Sequence, residues 1–323
     1  MVIGTKKFDL TARAYIMGIL NITPDSFYDG GRYNALDAAL FRTEQMIAEG
    51  ADIIDVGGES TRPGFAAISA EEEAARVIPV IAAIKARFDI PVSCDTYKSA
   101  AALAAIQAGA DMINDVYGLQ RDEKMAKVIA RAGVACVLAQ GSGVRGQGLG
   151  VRETINEKRI TNNGELNQIT NADDDKRNDG AVPAGGGLSD VPPNSLTSRR
   201  DYLFAVSNGL KNSLRLAHDA GIANDKIIVD PGIGFGKTTE QNLRCIADLA
   251  QFVSLGYPVL VGASNKSFIG AVLNAPAHER LYGTLAATAI AVLNGASFIR
   301  VHDVKENKQA IKMAEAIKYS RKI

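Results

Sequence analysis

Eight short apolar runs, each followed by a longer segment of helical character, constrain this chain more than any other feature. The runs are Tyr15–Leu20, Ile53–Val56, Val92–Cys94, Met112–Ile113, Ala135–Leu138, Ile227–Val229, Val259–Val261 and Phe298–Val301. Each has the length of a strand and is apolar on consecutive positions, so both faces are expected to be covered. That is the pattern of a parallel sheet with helices outside it. Several runs are entered through the same punctuation: Gly50-Ala51-Asp52, Gly109-Ala110-Asp111 and Gly295-Ala296-Ser297. A glycine there closes the preceding helix with a left-handed cap. An open doubly wound sheet is the alternative. Eight evenly spaced strand–helix units favour closure, and the expected class is α/β, a (β/α)8 TIM barrel.

The intervening segments read as helices. Ala35–Glu49 carries Leu36, Leu40, Met46 and Ile47 between charges, and Ala70–Arg87 opens with Glu71, Glu72 and Glu73, which suit a helix N-terminus. Ser99–Gln107 is rich in alanine, the best helix former. Further helices are expected over 122–131, 200–220, 239–254, 279–294 and 305–319. The rhythm breaks between Gly143 and Ser198, which contain no aromatic residue and few apolar ones. Such a composition buries too little surface to offset ordering entropy. We read it as a disordered insertion in the loop after the fifth strand.

Lys plus Arg equals Asp plus Glu, 36 against 36, so no general affinity for nucleic acid or an anionic membrane is expected. No apolar stretch approaches the roughly 20 residues of a membrane helix. The N-terminus has Lys6 and Lys7 but no apolar segment after them, unlike a secretory signal. Three scattered cysteines, Cys94, Cys136 and Cys245, lack metal-ligand spacing and fit a reducing compartment, so the chain is expected in the cytoplasm.

In such a barrel the chemistry gathers at the C-terminal ends of the strands. There the sequence places Asn21, Thr23, Asp25 and Ser26 after the first run and Glu59, Ser60, Thr61 and Arg62 after the second. Asp95 follows the third, Asn114 and Asp115 the fourth, Gln140 the fifth and Asp230 the sixth. Ser264, Asn265, Lys266 and Ser267 follow the seventh, and His302 and Asp303 the eighth, with Arg300 inside that run. Loop polarity alone produces some of this. It does not explain the sorting of charge, with Asp95, Asn114 and Asp230 on middle strands and Lys266, Arg300 and His302 on the last two. Phosphate sites in these barrels usually follow strands seven and eight. The arrangement predicts a ligand with an amide- or guanidine-like ring at one end and phosphate at the other. Blander roles exist for each group: Arg300 paired with Asp303, His302 as a structural histidine, Asp95 as a helix cap, Asp230 as the start of a turn. The stretch "DPGIGFGKT" (230–238) fails the P-loop spacing, because Pro231 stands where the first glycine is needed. Its glycines are expected to let backbone and Phe235 approach a ligand.

Seven stretches together resemble the dihydropteroate synthase family of pterin-binding barrels: "GILNITPDSFYDGG" (18–31), "DVGGESTRPG" (55–64), "SCDTYK" (93–98), "INDVYG" (113–118), "DPGIGFGKT", "SNKS" (264–267) and "RVHDV" (300–304). They stand in the family's order and span nearly the whole chain outside the insertion. The resemblance implies a single pterin-binding domain over 1–323, with an insertion at about 143–198. It implies condensation of 6-hydroxymethyl-7,8-dihydropterin pyrophosphate with p-aminobenzoate. By the same resemblance, Asp95, Asn114, Asp230, Lys266 and Arg300 face the pterin. Asn21, Arg300 and His302 face the pyrophosphate, with Asn21 also meeting Mg2+. Phe27, Thr61, Arg62, Pro63, Phe235 and Ser267 form the p-aminobenzoate pocket. Asp95, Lys266, Arg300 and His302 are the implied catalytic set, in a homodimer.

Two departures stand out. The family has arginine where this chain has Asn265, and a His-Met-x-Gly-type end to the fifth strand where this chain has "LAQGSG" (138–143). Two rivals follow. A folate-dependent methyltransferase of the same fold would share the Asp and Asn contacts but need no set of cations for a leaving pyrophosphate. A non-catalytic pterin-binding paralogue would keep the barrel alone.

Overall fold

The structure is a computed structural model that describes residues 1–22, 32–59, 67–141 and 196–320. The chain divides into two compact units, Met1–Val144 with Arg199–Ile323, and Arg145–Ser198. The first holds the barrel. The disorder expected over 143–198 falls outside the described residues, apart from 196–198, which are helical. Thr23, Asp25, Ser26, Phe27, Ser60, Thr61, Arg62 and Pro63 lie outside them as well.

Every expected strand forms. They are β1 (Tyr15–Asn21), β2 (Ile53–Gly57), β3 (Val92–Asp95), β4 (Met112–Asp115), β5 (Ala135–Ala139), β6 (Ile227–Asp230), β7 (Leu260–Val261) and β8 (Phe298–Val301). All neighbours pair in parallel, β1 with β2 and on to β6, while β8 pairs with both β1 and β7. A parallel bridge between Val229 and Val259 joins the β6 side to the β7 side and closes the ring. The closed eight-stranded parallel sheet with helices between its strands is the (β/α)8 barrel.

The helices are α1 (Arg32–Glu49), α2 (Ala70–Arg87), α3 (Ser99–Gln107), α4 (Met125–Ala132), α5 (Leu196–Asp219), α6 (Thr239–Ala247), the single turn α7 (Ala250–Val253), α8 (Ser267–Leu273), α9 (Leu281–Leu293) and α10 (Val304–Ser320). Ser69 caps α2 by accepting the Glu72 N–H at 3.1 Å, with Glu71–Glu73 in the first turn as the sequence indicates. Helix α5 starts four residues earlier than the sequence suggests, because nothing after Pro192-Pro193 breaks a helix.

Two apolar cores result among the described residues. The larger lies between sheet and helices and includes Ile16, Ile54, Val92, Ile113, Cys136, Val229, Val261 and Ile299. The smaller fills the barrel: Tyr15, Met17, Ile53, Met112, Val137, Ile228, Leu260 and Phe298. A short N-terminal hairpin, Val2–Ile3 paired with Lys6–Lys7, adds Ile3 and Phe8 to that inner core. The rings of Phe8, Tyr15 and Phe298 pack at 4.8–5.9 Å between centroids. The N-terminal mouth is thereby filled, which leaves the C-terminal mouth for polar groups.

Candidate active site

Side chains alternate along a strand, so the inner core fixes which later residues enter the lumen. Phe298 is inside, and so is Arg300 two positions on. Ile53 leads in the same way to Asp55, Met112 to Asn114 and Ile228 to Asp230. Arg300 donates from Nε to Oδ2 of Asp55 at 2.6 Å and from Nη2 to Oδ2 of Asp95 at 2.6 Å. Asn114 Nδ2 donates to the same Asp55 oxygen at 3.1 Å. Asp55 is fully buried, and its Oδ1 has no hydrogen-bond partner among the described residues. Arg300 thus bridges two carboxylates, not the Asp303 that sequence proximity offered. Asp95 does not cap α3 either: the Ser99 N–H goes to Asp122 at 2.8 Å.

The β6–β7 side is built differently. Asp230 Oδ1 accepts the Gly232 N–H at 2.7 Å, so it does start a turn while remaining at the lumen rim. The ammonium of Lys266 donates to the Ile233 carbonyl and lies 4.4 Å from the centre of the Phe235 ring. Gly232 (φ 71°) and Gly234 (φ 83°) take left-handed conformations in this turn, which only glycine adopts without strain. The turn thereby brings the Ile233 carbonyl and the Phe235 ring against Lys266.

The remaining expected residues are placed as follows. Ser264 Oγ and His302 Nδ1 are 2.9 Å apart, and Ser264 Oγ also accepts the His302 backbone N–H at 3.2 Å, so one hydroxyl orients the imidazole. Ser267 starts α8 and is exposed. Asn21 ends β1, paired in register with Gly57, which is paired in turn with Asp95. Asn265 sits at φ 55°, donates to Asp303 at 3.3 Å and accepts from Thr284 at 3.3 Å. Its deviation from the family's arginine is therefore built into a local hydrogen-bonded turn.

Burial dominates the electrostatics. It pushes the Asp95 carboxyl up to about 7, with Arg300 pulling down and Asp55, Glu73 and Asp115 pushing further up. Asp230 is also raised by burial, against Lys266, Lys237 and Arg300. Lys266 is lowered to about 8 by burial, against Asp230. Arg300 moves the other way: burial opposes its charge, but Asp55 and Asp95 outweigh it and hold the guanidinium ionised.

Three residues escaped the reading of strand ends. Asp55 lies inside an apolar run; its inward parity, two after Ile53, was the available signal. Lys98 pairs with Glu73 at 2.7 Å and with Glu59, tying the end of β2 to α2 and the β3 loop. Lys237 donates to three backbone carbonyls around the β6 turn.

Known proteins resemble this chain over nearly its whole length. A family model described as pterin binding enzyme matches residues 17–302. A dihydropteroate synthase of Clostridium beijerinckii is 45% identical over 98% of this chain and 99% of its own length. The crystal structure of a Clostridium difficile dihydropteroate synthase in the presence of pteroic acid is 38% identical, with a TM-score of 0.76 over 96% of this chain and 99% of that one. A Xanthomonas albilineans dihydropteroate synthase solved with 4-aminobenzoic acid is 33% identical, with a TM-score of 0.74 over 95% and 94% of the two chains. The chain therefore belongs to the pterin-binding enzyme family, among the transferases known as dihydropteroate synthases.

Proposed function

We propose that the lumen of this barrel joins 6-hydroxymethyl-7,8-dihydropterin pyrophosphate to p-aminobenzoate through a dissociative displacement at the pterin methylene. The carbon–oxygen bond to pyrophosphate breaks, and the aniline nitrogen forms the new carbon–nitrogen bond and gives up a proton. The observation that carries this reading is Arg300 held in the lumen by Asp55 and Asp95, with Asn114 on the same carboxylate. A guanidinium fixed in this way stabilises charge that grows on the leaving group without reorganising. Asp95, once ionised, offsets the cationic character left on the methylene. Asn114 donates its amide N–H to Asp55 and so turns its carbonyl oxygen toward the pterin's N–H groups. Asp230 accepts from the other end of the same edge. Lys266 meets a pterin oxygen or ring nitrogen, and His302, oriented by Ser264, takes the pyrophosphate side. Phe235 and Ser267 face p-aminobenzoate together with Phe27, Thr61, Arg62 and Pro63.

Mg2+ belongs to the same reading, with Asn21 as its protein ligand. Among the described residues no three His, Cys, Asp or Glu side chains gather into a metal site. A lone amide oxygen at a strand end suits Mg2+, which keeps several waters and borrows phosphate oxygens from its substrate. When bound it supplies charge neutralisation on the diphosphate. A homodimer accords with apolar side chains left exposed on neighbouring helices: Leu243 of α6, Val272 and Leu273 of α8, Tyr282 and Ile290 of α9. A reducing cytoplasmic setting accords with three free, buried cysteines.

The test is pyrophosphate release from the pterin substrate with Mg2+ and p-aminobenzoate. Turnover dependent on both is expected. Tight pterin binding without turnover would sink the catalytic reading in favour of a binding protein.

A further inference from the structure

The stretch "DPGIGFGKT" lacks the spacing of a phosphate loop, yet its lysine is not given to solvent. Lys237 Nζ donates to the carbonyls of Gly232 at 2.8 Å, Gln140 at 3.0 Å and Phe235 at 3.4 Å. An ammonium has three N–H donors and no acceptor, so all three are satisfied here by neutral backbone oxygens. Converging peptide carbonyls are also how proteins hold a bare monovalent cation. The three carbonyls come from two places in the chain: Gln140, just past the end of β5, and the turn after β6. One side chain thus fastens two adjacent loops at the mouth of the barrel.

The turn it fastens carries the β6–β7 half of the site. Gly232 supplies the N–H that fixes Asp230, and Gln140 N–H donates to the Asp230 carbonyl at 3.0 Å. Ile233 supplies the carbonyl and Phe235 the ring that surround Lys266. From the opposite side, buried Asn242 accepts the Gly234 N–H at 2.6 Å and donates to the carbonyls of Lys237 and Thr238 at 3.2 and 2.9 Å. Burial works against the charge of Lys237, while Cys245 and Asp230 favour it.

We propose that Lys237 is a positioning residue that serves as a built-in monovalent cation, folding the 232–236 turn onto Gln140 and so setting Asp230, Phe235 and Lys266. The roles of those three rest on the function proposed above; the carbonyl cage itself does not.

The experiment compares Lys237→Met, Lys237→Ala and Lys237→Arg with the intact protein, reading pterin pyrophosphate affinity by calorimetry alongside kcat and KM. Lys237→Met is expected to weaken pterin binding and raise KM for p-aminobenzoate by about tenfold or more, as loss of a charge-assisted hydrogen-bond set implies. Lys237→Ala opens the cage, and ammonium chloride is expected to restore affinity by about threefold or more over tetramethylammonium chloride at equal ionic strength. The intact protein should not distinguish the two salts. Equal affinity of Lys237→Met and the intact protein would overturn the proposal, as would identical behaviour of Lys237→Ala in the two salts. If Lys237→Ala does not fold, Lys237→Arg must bind pterin better than Lys237→Met at matched melting temperature, and equality between them would overturn it. Failure of the intact protein to release pyrophosphate would break the proposed reaction alone, since the calorimetric arm still reads the cage.

Discussion

Arg300 and Lys266 are two cations on neighbouring strand ends, and the barrel treats them in opposite ways. Arg300 receives two carboxylates, Asp55 and Asp95, each at 2.6 Å. Lys266 receives a backbone carbonyl and an aromatic face. The first is locked in the charged state, and the second is brought down to about 8 by burial. A planar guanidinium can bridge two acceptors on different strands, whereas an ammonium is a point charge whose proton is easily shifted. The lumen thus holds one permanent charge and one adjustable charge, which the proposed function assigns to the leaving group and to the pterin ring.

Arg300→Met breaks this comparison most severely. It leaves Asp55 and Asp95 side by side in the lumen without the guanidinium that donates to both. Removing one partner of a buried ion pair costs about 3–5 kcal/mol. Thermal unfolding should show a loss of that size, and turnover should fall by at least about 100-fold if the guanidinium stabilises the leaving group. Arg300→Lys should recover stability in part but little turnover, because it cannot bridge both carboxylates. Equal turnover of the lysine variant and the intact protein would show that charge alone suffices.

Asp55→Asn tests the buried side of the bridge. Arg300 then keeps only Asp95 as an ionic hydrogen-bond partner, and a stability loss of about 1–3 kcal/mol is expected from the weakened network. The variant carries a second signature. Asp55 is among the charges that hold the Asp95 carboxyl up, so its neutralisation should let that carboxyl ionise at lower pH. A stability loss without any such shift would make Asp55 a packing residue only.

On the proposed function, Asp95 and Lys266 together set the pH profile. Asp95 at about 7 is protonated below that value, and its anion is the form that offsets the methylene cation, so kcat/KM should rise with pH through about 7. Lys266 at about 8 loses its charge above that value, so kcat/KM should fall again through about 8. The result is a narrow bell. Lys266→Arg should remove the falling limb and leave the rising one. A profile flat from about pH 6 to about pH 9 would remove both groups from the chemistry.

The strand order and most strand-end residues were legible because each follows an apolar run that ends abruptly. "FIRVHD" shows the limit. It placed Arg300 in the right strand but offered Asp303 as partner, three residues further on and already outside the sheet. The true partners, Asp55 and Asp95, lie far away in sequence, and only closure of the sheet brings them to β8. Asp55 is hidden in the sequence because a polar residue within an apolar run reads as part of that run. Parity along the strand, not proximity to its end, marks it as inward. A spacing rule for phosphate says nothing of Lys237, whose partners are backbone carbonyls, which leave no pattern in sequence. Glu59 was noted at a strand end, but its partner Lys98 belongs to the next loop and became visible only in three dimensions.

The smallest effect expected concerns Asn265, next to the adjustable lysine. The family's arginine at this place suggests lost affinity, yet the structure gives asparagine a job of its own. At φ 55° it occupies a left-handed conformation that asparagine tolerates better than other non-glycine residues. Its side chain donates to Asp303 and accepts from Thr284, and its backbone N–H also meets the Thr284 hydroxyl at 3.1 Å. Arg280 Nη1 donates to its carbonyl at 3.1 Å. Asn265→Arg therefore meets both strain and lost hydrogen bonds, about 1–2 kcal/mol together, or a drop of a few degrees in melting temperature. Asn265→Gly removes the strain but also the bonds, and should fall between the two. If Asn265→Arg instead keeps its melting temperature and lowers the KM for the pterin substrate, the left-handed turn is not limiting, and the arginine belongs to substrate binding rather than to the support of Lys266.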